Sequence, residues 1–196
     1  MKQFPALALL EFNSIAAGIE VGDAMVKHAP VDRIVTGTVQ PGHYLVLVAG
    51  GVASVEEAVK IGKKAGQSTL RDMLFLPNVH SDVVAALSGE QISATEDALG
   101  IIETHTVASA ILAADAGLKG AEVSLLKLRL ADGLGGKGLT MFSGLVADVE
   151  AAVEIGTAVI PQHLLHHTII SQLHAEMWDN VNRNGRFGSH FNWKNA

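Results

Sequence analysis

The chain has 196 residues, a net charge of −6 at pH 7 and no cysteine. This excludes disulfides, thiolate-bound zinc and cysteine-held iron–sulfur clusters, and it argues against a nucleic-acid backbone as the main partner. Hydrophobic residues make up 48% and aromatics only 5%, so the core must be built from Ala, Val, Leu and Ile in thin, close-packed layers.

The opening MKQFPALALLEF has its apolar run cut by Glu11, too short for a signal segment, and no stretch approaches a membrane span. A soluble cytoplasmic protein is expected. Residues 6–12 form a short apolar run, a predicted strand. Ser14 then caps a predicted helix whose apolar face is Ile15, Ile19, Gly22, Val26 and Ala29. After Pro30, residues 33–39 and 44–49 read as two strands joined by the turn QPGH, a hairpin. Ser54 and Glu57 have capping-box spacing and open a helix through about Ala65. Residues 69–76 read as a further strand and residues 81–87 as a short helix. Residues 88–98 (SGEQISATEDA) are polar and aperiodic, a predicted linker.

The second half repeats this order because the chain repeats itself. ALLEFNSIAAGIEVGDAMVKHAPV, from Ala8, returns as GIIETHTVASAILAADAGLKGAEV, from Gly100. Glu11 pairs with Glu103, Ile19 with Ile111, Asp23 with Asp115 and Lys27 with Lys119, a shift of 103−11 = 92. Later pairs, Gly42 with Gly136, Gly62 with Gly156 and His80 with His174, are shifted by 136−42 = 94. The two extra residues fall in one Gly-rich loop. Val107, Ile111, Ala114, Leu118 and Ala121 restate the first helical face, and residues 124–130 place three leucines on one side of a strand. The fold class is therefore α/β (α+β): two tandem ferredoxin-like βαββαβ domains, at 1–90 and 98–178, with a tail at 179–196. The tail is Asn- and Gly-rich, carries Phe187, Phe191 and Trp193, and has no counterpart in the first copy.

Three motifs invite chemistry and carry little. Gly133, Gly135 and Gly138 match G-x-G-x-x-G, but the run leads into the strand-like LTMFS, so no helix N-terminus faces a phosphate; a tight turn is the better reading. His163, His166 and His167 map to the closing strand, where His163 and His167 share a face and His166 points away; no metal site is expected. Glu11 and Glu103 are acids inside apolar strands, and a repeated structural hydrogen bond explains them more simply than acid–base catalysis. No nucleophile–base set can be assembled from the repeated positions, so no enzyme is expected. Asp23–Lys27 and Asp115–Lys119 are i,i+4 pairs of the ordinary helix-surface kind.

LLEFNSIAAGIEVGDAMVKHAPV, the turn QPGH and LVLVAGGVASVEEAV, with IIETHTVASAILAADAGLKGAEV and LTMFSGLVADVEAAV in the second copy, resemble bacterial microcompartment shell proteins. Two such domains in unpermuted order are similar to the tandem-domain, trimer-forming class, as in propanediol-utilisation shells. The resemblance runs from about Leu7 to Trp178. It implies a structural subunit in the bacterial cytoplasm: three chains in a flat homotrimeric pseudohexamer that tiles with hexameric shell proteins around a pore for small polar metabolites. Carried over by position, the pore loops are Gln40, Pro41, Gly42 and His43 in the first copy and Asp132, Gly133, Leu134, Gly135, Gly136 and Lys137 in the second.

By the same resemblance, Lys27, Lys119, His80 and His174 fall at tile edges. The family's second-copy edge motif of proline, arginine, proline and histidine reads here Ser171, Gln172, Leu173 and His174, keeping only the histidine. Some relatives place a cysteine at the first pore-loop position and hold an iron–sulfur cluster there. Gln40 stands in that place, so no cofactor is expected. Gln40 and His43 together imply a polar opening whose charge changes near neutral pH, helped by Lys137. The rival reading is a trimeric ferredoxin-like sensor that binds a small ligand between subunits.

Overall fold

The computed structural model describes residues 5–90 and 98–183. The first domain runs β1 (Ala6–Phe12), α1 (Ile15–His28), β2 (Arg33–Val39), β3 (His43–Gly50), α2 (Val52–Gly66), β4 (Leu70–Leu76) and α3 (Ser81–Leu87). The second runs β5 (Ala98–Thr104), α4 (Val107–Gly120), β6 (Ser124–Leu130), β7 (Gly138–Gly144), α5 (Val146–Ala158), β8 (Leu164–Ile170) and α6 (Ala175–Asn182). Each βαββαβ unit forms a four-stranded antiparallel sheet, ordered β2-β3-β1-β4 and β6-β7-β5-β8. The repeat extends to defects in the ladder: the register slips at Glu11/Phe12 against β4 and at Glu103/Thr104 against β8. A bulge kept in both copies is a built feature, and it re-aims the acid beside it.

Side-chain alternation along β1 divides its neighbours between two layers. Leu10 and Phe12 point to α1 and α2, where they join Val21, Met25, Val46, Val48, Val55, Ala58 and Val59 in the first core. Close helix–sheet contact needs small residues: a Cβ on Gly62 would lie 2.6 Å from Leu10 Cδ2, and one on its repeat partner Gly156 would lie 2.8 Å from Ile102 Cδ1. Leu7 and Leu9 point the other way. They join Leu74, Leu76, Val79 and Val83 in a cluster continuous with the second domain's core through Val107, Ile111 and Leu118 of α4. The two domains are thus fused by shared apolar packing, with α4 laid against β4 as well as on its own sheet.

Four sequence expectations need correction. The helix expected to open at Ser54 begins two residues earlier at Val52, with Gly51 at its N-cap and no side-chain cap bond; Ser54 lies inside it. The expected face of α1 is rotated. Gly18, Val21, Gly22 and Met25 are buried, whereas Ile15, Ile19 and Val26 are 39%, 54% and 40% exposed. Their repeat partners Val107, Ile111 and Leu118 are buried because α4 has the first domain to pack against. Ala98, assigned to the linker, is a buried residue of β5, and the rest of that linker from 91 to 97 lies outside the described residues. The tail assigned from 179 begins inside α6, which continues to Asn182; its aromatic residues also lie outside the described residues.

Ile111 sits at the junction of the second core and the seam and is fully buried. Ile111→Ala is expected to lower unfolding free energy by about 2–5 kcal/mol, the range for emptying a packed aliphatic site. Urea unfolding measures it; a loss near zero would mean the seam is loosely packed.

Candidate functional site

The two predicted pore loops meet. Gln40 N–H donates to Asp132 Oδ1 at 3.2 Å, and Gly133 N–H donates back to Gln40 Oε1 at 3.0 Å. The Gly-rich loop folds on itself: Ala131 N–H donates to Lys137 O at 2.9 Å, and Ala131 O accepts from Leu134 N–H at 2.9 Å and Gly136 N–H at 3.2 Å. Gly133, Gly135 and Gly136 have φ of 74°, 64° and 86°, the left-handed region that glycine enters without a Cβ penalty. Gly136 is also where the loops touch, since a Cβ there would lie 2.7 Å from Pro41 Cδ. The loop leads into β7, a strand, as the tight-turn reading of the G-x-G-x-x-G run requires. Gln40, Pro41, Gly42, Asp132, Gly133 and Gly135 are exposed, Leu134 is half-buried and Gly136 is buried.

His43 and Lys137, both expected at the opening, differ in exposure: His43 is buried and Lys137 is exposed. His43 begins β3, and its side chain, 11% exposed, turns into the domain seam. There its Nδ1 lies 3.2 Å from Glu11 Oε1, which is also 3.1 Å from Arg71 Nε. The Arg71 approach is a close charge contact and the His43 approach a close polar one, both with angles outside hydrogen-bond alignment. Arg71 Nη1 donates to His43 Nε2 at 3.2 Å. A guanidinium only donates, so Nε2 is the acceptor and the proton stands on Nδ1, toward Glu11. Burial and the Arg71 charge lower the His43 pKa from its ordinary 6.5, which keeps it neutral. Lys137, the repeat partner of His43, is held at 2.7 Å by Glu103, the repeat partner of Glu11. The pair is written twice: acid with imidazole in the seam, acid with lysine on the open side.

Glu11 is fully buried and accepts from Val107 N–H at 2.9 Å. Burial raises its pKa from 4.5, opposed by that hydrogen bond and by Arg71. Beside it, Asp72 accepts from Thr106 Oγ1 and, at 2.7 Å, from Ser109 Oγ. Two first-domain carboxyl groups thus sit at the N-terminus of α4, where its first N–H groups lack partners and the helix dipole favours negative charge. Arg71 completes the clasp by donating to His105 O at 2.8 Å. Arg71 and Asp72 were missed in the sequence. Their signal was two adjacent charged residues within the otherwise apolar strand LRDMLFL, replaced by Leu165 and His166 in the second copy.

The BMC domain family matches twice, over residues 6–79 and 98–173. The chain belongs to the bacterial microcompartment (BMC) domain family. It is 38% identical over 175 residues to the bacterial microcompartment shell protein PduT of Citrobacter freundii, covering 88% of this chain and 95% of that protein. A crystal structure of a microcompartment protein from Desulfitobacterium hafniense DCB superposes with a TM-score of 0.76 at 39% identity, covering 89% of this chain and 98% of that one. The single-domain-length shell protein PduA of Citrobacter freundii is 32% identical over 83 residues, 41% of this chain and 89% of its own. The chain is a structural subunit of a microcompartment shell, not an enzyme, and the sensor reading finds no support among these relatives.

In the BMC fold the two copies of the acid–lysine pair occupy unlike places. Asp115, with a side chain 4% exposed, accepts from His80 N–H at 2.8 Å, and Lys119 donates to both Asp115 and Asn78 O across the seam. Asp23 and Lys27 make the same 2.5 Å pair with side chains 56% and 64% exposed. His80 and His174 each start a short helix, accepting from Asp82 N–H and Glu176 N–H. The histidine run is split: His163 stands in the turn before β8, 3.7 Å from Asp72, and His166 and His167 are exposed on β8.

The seam's titration has a definite sign. A histidine whose folded pKa is lowered contributes stability that is complete above about pH 6.5 and is lost as pH falls through the folded value. Glu11, raised, works oppositely, favouring the fold below its ordinary 4.5 and less so as pH rises through its folded value. His43→Gln is therefore expected to flatten the loss of stability between about pH 7 and pH 5. Denaturant unfolding across that range checks it, and an unchanged slope would contradict the neutral, seam-held imidazole.

Proposed function

We propose that three copies of this shell subunit close into a flat ring of six domains with the paired loops around its central opening. The carrying observation is the α1 face: Ile15, Ile19 and Val26 are exposed where Val107, Ile111 and Leu118 of α4 are buried against the first domain. The chain holds one seam made and the two halves of another left open. One half is α1 with Asp23 and Lys27. The other is β8 and the start of α6, where the His174 N–H and Gln172 carbonyl correspond to the His80 N–H and Asn78 carbonyl that Asp115 and Lys119 use. Repeating one heterologous contact by a fixed rotation closes a ring. Three internal seams alternating with three between chains give six domains.

The open half-sites are weaker than the internal clasp. Glu103 stands ready to accept the Ile15 N–H as Glu11 accepts that of Val107, but Leu165 and His166 replace Arg71 and Asp72. Lys27, Lys119, His80 and His174, near the rim of this ring, are the groups through which it meets hexameric neighbours in the shell of a cytoplasmic microcompartment. The opening is lined by the Gln40 amide, the Asp132 carboxylate and the Gly133 to Gly135 backbone. His43 and Lys137 are already engaged and contribute no free charge. Such a rim suits small polar metabolites. With Gln40 in the first loop position and no cysteine in the chain, this pore carries no cysteine-held cluster.

Ile19→Asp puts a charge in the middle of the open apolar face without touching either core. Sedimentation is expected to change from trimer for the native chain to monomer for the variant, with the circular dichroism spectrum retained. A native monomer, or a variant that remains trimeric, would contradict the ring.

A further inference from the structure

The two sheets differ on the face opposite their paired helices. On the second sheet, α6 brings the carbonyls of Val181 and Arg183 onto Lys127 of β6 and buries Trp178. On the first, α3 leans across the seam onto β6 instead and leaves a groove of about 690 Å³ lined by Leu7, Leu9, Val35, Leu45, Leu47 and Leu87. Val35 pairs with Leu47 as Lys127 pairs with Met141, so Val35 holds the position that α6 caps in the other copy. Among the described residues, the first sheet has an apolar face where its twin has a cover.

We infer that this groove receives residues 184–196 of the same chain, with Phe187, Phe191 and Trp193 as its anchors. The segment starts in the right place. Arg183 is tied to Lys127 at 3.0 Å, and Leu130, three residues further along β6, lines the groove, roughly 10 Å away at the usual strand rise. Residues 184–196 can span up to about 43 Å when extended, so the whole groove is in reach. The chemistry also matches: the segment holds three of the few aromatic residues in the chain, and its only charged residues, Arg186 and Lys194, leave the aromatics separated by polar and small residues. The groove offers leucine and valine side chains, with Arg33 at its rim. Among the described residues the matching face of the second sheet is covered by α6, and the aromatic segment has no counterpart in the first copy's sequence, as a mutual fit requires. The inference concerns one chain and stands whether or not three chains assemble.

The absence of native cysteine permits a direct test in the full-length protein. Val35→Cys with Asn192→Cys keeps every proposed anchor and adds the only two thiols. On mild oxidation, an intrachain disulfide, seen as a faster-migrating monomer on a non-reducing gel, is expected to form several-fold faster than in a control pair. The control is Glu57→Cys with Asn192→Cys, Glu57 being exposed on α2, across the sheet. Adding Leu47→Lys to the test pair is expected to slow the cross-link toward the control rate, with cooperative unfolding confirming that each variant folds. Equal rates in test and control pairs would overturn the inference. Cross-links found only in dimers would also overturn it, because the groove would then hold another copy's segment. A test-pair rate unaffected by Leu47→Lys would overturn the docking role of the groove itself.

Discussion

Glu11 is the group on which the arrangement of the two domains depends. Its carboxyl group is fully buried and reaches across the seam to the first N–H of α4. Removing one partner from such a contact leaves a buried polar group unpaired, which costs about 1–3 kcal/mol and more where charge is involved. The bulge at Glu11/Phe12 aims the side chain, Arg71 and His43 surround it, and Asp72 takes up the hydroxyl groups of the same helix end. An apolar seam alone would let α4 slide. The carboxyl groups fix its first turn in place, and with it the separation of the Gln40 and Asp132 loops.

Duplication supplies two copies of each half of this contact, and fusion uses one of each. The spent copies, Glu11 with β4 and the α4 flank, have become part of a continuous core. The unspent copies, Glu103 with β8 and the α1 flank, keep apolar side chains in water. Exposed aliphatic side chains are unremarkable singly. Three of them on one helix face, each matched to a buried partner in the other copy, describe a contact waiting for its second half. The unlike pairs Arg71/Leu165 and Asp72/His166 would make a seam formed by the unspent copies weaker than the internal one.

Element order, strand limits and the double βαββαβ plan were legible because each was stated twice in the sequence, and two weak periodic signals in register amount to a strong one. The α1 face was misread for the same reason. Ile15, Ile19 and Val26 are as apolar as their partners on α4, and periodicity cannot tell a face that packs within its chain from one that packs against another copy. Local competition explains the misplaced start of α2: Ser54 and Glu57 have the right spacing, but the chain already turns into the helix after Gly51. The loops that meet at Gln40 and Asp132 were found by position, but the pairings of His43 and Lys137 were not. Those pairings depend on strand alternation at one residue and on the acids opposite, Glu11 and Glu103, whose partners in space no single-residue pattern names.

The central claim is that the open seam between chains repeats the closed seam within one. Electron microscopy of the purified protein, alone and mixed with a hexameric shell protein, tests it most directly. Flat, hexagon-outlined particles with threefold symmetry, in which α1 of one chain lies on β8 of the next as α4 lies on β4, are the predicted result. Particles joined through any other surface, or chains that stay single under conditions where hexameric shell proteins form layers, would contradict it.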